Sequence, residues 1–410
     1  MGAPSCTSRN SISRQLASLP GVTNGNYNAS DPGEHNYGVA YTCNTKPKIG
    51  ATFKIPGASN WTNLKFKATG PDGISIPATA PSSISGDIVT MPVTESTTAL
   101  PNTIKYYNKA DSTAFKLDWQ MSVDGGTTWA TINSTKHTVY VTLADPASSL
   151  SSSNYFESVF EIGCREANGM SGSATDSTVK GVVTDAIFGD FASRNVKRVD
   201  GTQLTYYHVY TTPVTTTAGL LSTGDGECGS WTSLFLDIRK AQGITDTSDY
   251  VKIEAITGDG FIVNNWTFSG SGNSGDTDYP YLNLPVTPLS TAFIGTSSYN
   301  WLYAEVTDAT GIPGEGNANP ASWFENHQMA YVNGQYYDPS YGIKHPDLAD
   351  IQTSLAGFYL GPGSYPVNEA TVNLDLNGNG NKTDTGVSTT VILFTKTPST
   401  LNLIQHTDTY

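Results

Sequence analysis

Apolar and polar residues alternate with a period of two along much of the first third of the chain. Leu64-Lys65-Phe66-Lys67, Leu117-Asp118-Trp119-Gln120-Met121 and Thr138-Val139-Tyr140-Val141-Thr142 each place every second side chain on one face. That is the pattern of a strand with one buried side. Pro71-Asp72-Gly73 and Asp124-Gly125-Gly126 separate such runs as turns. Residues 31–146 therefore read as an all-β sandwich domain of the immunoglobulin-like kind. Residues 1–30 are polar and aperiodic and read as an arm. Asp145-Pro146, followed by a serine-rich stretch, marks the boundary.

Beyond it the period lengthens. Asn154 and Glu157 have capping-box spacing. Phe156, Val159, Phe160, Gly163, Cys164 and Ala167 follow at helical intervals. A second helix is expected with Val179, Val182, Val183, Ala186 and Ile187 on one face. Residues 203–210 read as a strand, and the threonine-rich residues 211–217 as a linker to Gly224. Trp231, Leu234, Phe235, Ile238 and Ala241 form the apolar face of a third helix. Gly243 supplies its stop, and Arg239 and Lys240 sit in its last turn, where cations are favoured. Residues 301–306 alternate. Residues 327–338 predict two strands around Asn333-Gly334, a two-residue hairpin pair. The remainder reads as loop and strand, with Val391 to Phe394 a buried strand. Residues 147–410 thus predict an α+β domain, and no repeat of solenoid period occurs.

A chain of 410 residues exceeds one compact core, which agrees with two domains. Hydrophobic residues make up 37% and charged residues only 14%, the rest being rich in Thr, Ser, Gly and Asn. This suits a secreted or cell-surface protein of strands and loops. A net charge of −14 argues against nucleic acid and anionic membranes as partners, since phosphate binding needs a basic footprint. No apolar run is long enough to span a membrane. Met1-Gly2-Ala3-Pro4 has no charged and apolar leader, so a mature start is expected. Oligomeric state is not legible.

The four cysteines, Cys6, Cys43, Cys164 and Cys228, fit no zinc-knuckle spacing. Cys6 and Cys43 could be bridged in an oxidising compartment. Cys164 lies on an apolar helix face and reads as core. Cys228 differs, for it stands in Gly224-Asp225-Gly226-Glu227-Cys228-Gly229-Ser230-Trp231, where a glycine-rich loop meets a helix. Amides and dipole at a helix start favour an anion, so a thiol there ionises more readily and becomes a nucleophile. The same amides can donate to an oxyanion, and Gly226 and Gly229 would let a substrate approach. A core cysteine is the plainer alternative.

A nucleophilic thiol needs an imidazole, and the imidazole an acceptor to orient it. His327 opens a strand, and Asp338 follows across the Asn333-Gly334 hairpin, so the two can stand side by side. His208, among tyrosines, is the next candidate base. His345, between Lys344 and Pro346, reads as a loop residue. Asp347 and Asp350 are weaker acceptors.

These segments together resemble the transglutaminase-like family. Gly226-Glu227-Cys228-Gly229-Ser230-Trp231 is similar to its cysteine motif, and Asn326-His327-Gln328 to its histidine motif. Tyr336-Tyr337-Asp338-Pro339-Ser340-Tyr341-Gly342 is similar to its aspartate motif. The resemblance covers less than a third of the chain. It implies a papain-like α+β core, with the cysteine on a helix N-terminus against a central antiparallel sheet that carries His and Asp. It also implies acyl transfer by Cys228, His327 and Asp338 on protein or peptide amides, with hydrolysis and amine transfer both open. No cofactor is required for that chemistry. Two features depart from the family. About a hundred residues separate Cys228 from His327, so an insertion is expected near 256–300. Met329 stands where an aromatic is usual.

Trp231, Trp266, Trp301 and Trp323 fall near the motifs; Trp231 is assigned to the core. Asp375, Asn377, Asn379, Asn381 and Asp384 alternate as calcium ligands do, but Gly386 stands where the bidentate Glu would be, and a hairpin turn uses the same residues. The competing functional reading is a non-catalytic secreted binding or scaffold protein with a relic triad.

Overall fold

A pleated strand buries every second side chain, and the sequence meets that demand mainly before residue 145. The computed structural model describes residues 12–13, 38–148, 150, 156–207, 214–244, 249–254, 260–263, 283–288, 301–305, 313–318, 320, 323–324, 326–354, 356–360, 370–373, 388–391, 394–395 and 408–409. Cys6, Asn154, His208, Trp266 and the 375–384 loop lie outside these residues. The fold is mixed α+β, with several antiparallel sheets and few helices. Two compact units divide the chain: residues 1–187 with 237–245, and residues 188–236 with 246–410.

In the first unit, one sheet orders Ile12–Ser13, Lys48–Lys54, Ile88–Glu95 and Ser83–Ser85. Another orders Ala130–His137, Phe115–Ser122, Lys65–Thr69 and Ser75–Thr79. Their apolar side chains share one core. Phe53 stacks on Phe66 at 5.0 Å and meets Trp119 edge-on at 5.2 Å. Such ring pairs add about 1 kcal/mol each beyond the area they bury. A third sheet pairs Val139–Thr142 in parallel with Val39–Thr42 and antiparallel with Lys105–Tyr107.

Helix α1 (Glu157–Glu166) starts with Phe156 as its N-cap and no side-chain capping bond. The expected capping box does not supply one, because Glu157 turns inward. Its Oε1 accepts from the Gly38 amide at 2.9 Å and the Tyr140 hydroxyl at 3.0 Å. Burial raises the Glu157 carboxyl above its usual range, and those two donors oppose the shift. The composition change at Asp145-Pro146 lies inside this unit. The amides of Ala144 and Ala147 bond the carbonyls of Gln242 and Lys240 at 3.2 and 2.8 Å.

Helix α2 (Ser177–Ala192) buries Val183 and Ile187 but leaves Val182 52% exposed. The buried stripe runs at intervals of four, and Val182 falls to its side. Helix α3 (Thr217–Thr223) starts at the last residue of the expected linker and fills the stretch to Gly224, and the Thr216 hydroxyl caps it by accepting from the Gly219 amide at 3.1 Å. Helix α4 (Cys228–Ala241) matches the expected third helix, and Gly243 beyond it is left-handed at φ 75°. Arg239 does not cap the last turn as an exposed cation. It is buried and donates from Nε to the Thr184 hydroxyl at 3.0 Å. Helix α5 spans Leu348–Ser354.

The second unit holds a five-stranded sheet in the order Ile343–His345, Gln335–Asp338, Asn326–Val332, Asp249–Glu254, Asp408–Thr409. Its described pairings are antiparallel. Gly260–Val263 and Asn283–Pro288, from the segment expected as an insertion, join a six-stranded sheet. The strand expected over 203–210 is Thr205–Tyr206 among the described residues. Tyr207 takes a left-handed φ of 49°, which ends the extended run. No described helix is long and apolar enough to cross a membrane.

Candidate active site

The helix start that presents Cys228 is built by its neighbours. The Glu227 carbonyl accepts from the amides of Ser230 and Trp231 at 3.0 and 3.2 Å, and from the Ser230 hydroxyl at 2.8 Å. The amides of Cys228 and Gly229 open the helix and have no acceptor within it. Trp231 is fully buried, meeting Phe191 edge-on at 6.2 Å, which bears out its place in the core. Phe235 packs on Tyr337 at 5.3 Å, and the Thr232 hydroxyl bonds the Gln328 carbonyl at 3.1 Å. These contacts fix α4 on the five-stranded sheet.

Asn326–Val332 and Gln335–Asp338 are joined by Asn333 and Gly334, both left-handed at φ 51° and 81°, as a tight hairpin turn needs. Tyr331 lies opposite Tyr336, and Ala330 opposite Tyr337. His327, four residues before Tyr331, and Asp338, two after Tyr336, therefore share a face. His327 Nε2 stands 2.7 Å from Asp338 Oδ2, with both side chains fully buried. Asp338 Oδ1 accepts from the amides of Ser340 and Tyr341 at 3.0 and 3.3 Å, which holds the carboxylate in place.

The Cys228 side chain also acts electrostatically on the His327 ring. With Nε2 on Asp338, Nδ1 is the ring nitrogen that Asp338 does not engage. Burial alone would depress the histidine, but the Asp338 charge and hydrogen bond, with the Cys228 contacts, raise it to about 10. The imidazolium is thus the form expected at neutral pH. Cys228 is 4% exposed. Cys164 contrasts with it: burial pushes that thiol up to about 12, and its sulfur bonds the Val141 carbonyl and the Gln242 side chain. Cys43 is buried and unbridged among the described residues.

Two tyrosines pack in succession beside His327. The Tyr341 ring lies 5.6 Å from His327, and Tyr206 meets Tyr341 edge-on at 5.3 Å. Burial pushes both phenols well above their usual range, with the charges of Cys228 and Asp338 adding to the shift. The backbone links them through residue 315. Tyr206 donates to the Glu315 carbonyl at 2.8 Å, and Glu315 donates to the Ser340 carbonyl at 2.9 Å. The Asn317 carboxamide donates to the carbonyls of Tyr206 and Tyr207 at 2.8 and 3.1 Å, which holds Tyr207 in its left-handed conformation. Such strain persists where surrounding contacts over-determine it, often beside a functional site. No local pattern in the sequence announces Asn317, because its partners lie more than a hundred residues earlier.

His345 is not a loop residue. It is buried on the strand Ile343–His345, and its Nδ1 stands 2.8 Å from Asp350 Oδ2, so Asp350 serves this second histidine. Met329 is fully buried in the strand that bears His327. Trp301 and Trp323 are placed on strands by their backbones. No cluster of metal-ligating side chains occurs among the described residues. No protein-family model matches the chain, and no curated protein matches it.

Proposed function

We propose that the protein is a cysteine-nucleophile acyl-transfer enzyme of the transglutaminase-like kind, acting on amide bonds of proteins or peptides. The observation that carries this reading is the buried His327–Asp338 hydrogen bond, whose imidazole interacts electrostatically with Cys228 at the start of α4. A ring protonated on both nitrogens is the partner that a nucleophilic thiolate needs. In the proposed cycle the sulfur adds to the amide carbon, and Nδ1 gives its proton to the departing amine. An acyl group remains on Cys228. Water or a primary amine then attacks it, returning a proton to the ring and the electron pair to sulfur. Asp338 keeps the ring oriented throughout. The helix and antiparallel sheet that bring the three side chains together favour a papain-like core. The first unit fits an immunoglobulin-like sandwich, and the thinly charged, Thr/Ser/Asn-rich composition fits a secreted or cell-surface enzyme.

The test is mass spectrometry after incubation with a glutamine-containing protein and a primary amine. Amine incorporation, deamidation or cleavage is expected with the intact chain. Cys228→Ala should abolish every product while the circular dichroism spectrum stays unchanged. Turnover that survives this substitution overturns the mechanism. The scaffold reading draws support from the burial of Cys228 at 4% exposure. Rapid alkylation of Cys228 near neutral pH would count against it, and labelling as slow as that of Cys164 would favour it.

A further inference from the structure

A polar pair that the cycle above does not use sits against the first turn of α4. A Cβ on Gly229 would overlap Gln328 Oε1 and come within 2.7 Å of the Tyr250 hydroxyl. The Gln328 carboxamide therefore lies directly on the backbone of the residue after the nucleophile. Tyr250 donates to Gln328 Oε1. The pair stands on neighbouring strands, with Lys252 opposite Gln328 and Tyr250 opposite Ala330, so Tyr250 and Gln328 share a face. Because the tyrosine engages Oε1, the two Nε2 hydrogens are the end of the amide left to meet a ligand. They have no protein acceptor among the described residues, and the side chain is only half-buried. Successive strand residues point to opposite sides. His327 takes the sulfur, and Gln328 takes the far side of the same turn.

We infer that Gln328 Nε2 donates to the carbonyl oxygen of the acyl group under attack, making Gln328 a catalytic residue, with Tyr250 as its positioning residue. This rests on the acyl-transfer reading. When the Cys228 sulfur bonds to the carbonyl carbon, the C=O π pair moves onto oxygen. A pre-oriented N–H beside that oxygen stabilises the charge as it forms. When the intermediate collapses, the pair re-forms C=O and the leaving group departs with its bonding electrons.

Two probes of Cys228 separate this role from the rest of the site. p-Nitrophenyl acetate acetylates the thiol through an oxyanion and releases p-nitrophenolate. Iodoacetamide alkylates it by displacing iodide, with no oxyanion. Gln328→Glu and Gln328→Met should slow acetylation by roughly 100-fold. Each should leave alkylation within about twofold. Tyr250→Phe, which frees the amide to turn, should slow acetylation roughly tenfold with the same sparing of alkylation. Acetylation at the parent rate in both Gln328 variants overturns the inference while leaving the nucleophile standing. An equal fall in both reactions makes Gln328 merely structural and overturns it too. A parent protein whose Cys228 takes neither probe removes the acyl-transfer reading itself.

Discussion

Asp338 faces His327 with both side chains fully buried, and the consequence is a pH dependence of stability. An ordinary histidine titrates near 6.5. Here the folded value is raised to about 10, burial working against the Asp338 interactions and losing. A raised value means that the folded state binds the proton more tightly. The stabilisation is therefore complete below about pH 6.5 and disappears as pH climbs through about 10. The melting temperature should fall between pH 7 and pH 10, and it should fall less in His327→Gln. Parallel melting curves for the two proteins across that window would contradict the assignment. Cys164 offers no such lever at neutral pH, because burial has pushed its thiol up to about 12.

At the scale of elements, Gly229 sets helix propensity against packing. Alanine is favoured over glycine inside a helix by about 1 kcal/mol. Its methyl group would overlap Gln328 Oε1 and crowd Tyr250, and overpacking typically costs about 1–3 kcal/mol. Gly229→Ala should therefore lower stability in urea unfolding. A gain would show that the carboxamide yields at little cost. The same contest decides what was legible beforehand. α4 was readable because its apolar face, its glycine stop and its cysteine all lie within one local stretch. The hairpin was readable because Asn333-Gly334 can take two successive left-handed residues. The start of α1 was not, since Glu157 answers to Gly38, far away in sequence. α3 was not readable because it starts where a threonine run ends, its cap distinguishable from linker only once Gly219 folds back on Thr216. Cys228, His327 and Asp338 could be named from motif spacing. Gln328, Tyr250 and Asn317 could not, because each gains its role from residues on distant strands or turns.

For the whole molecule, the charge of −14 should set the response to salt. Ion pairs such as Lys48 with Glu95 and Lys116 with Asp118 are about half exposed and contribute little. Mutual repulsion among the carboxylates should then dominate, and salt screens it over roughly 10 Å at 0.1 M. Raising sodium chloride from about 10 mM to 0.3 M at pH 7.5 should raise the melting temperature by several degrees. A drop would show that the pairs matter more than the repulsion. Finally, the amides of Leu143, Ala144 and Ala147 take their acceptors from Gln242 and Lys240. The ribosome adds both of those residues after Cys228. The first unit therefore cannot complete its bonding until Cys228 has been translated, and no fragment that stops before that residue contains the whole of it.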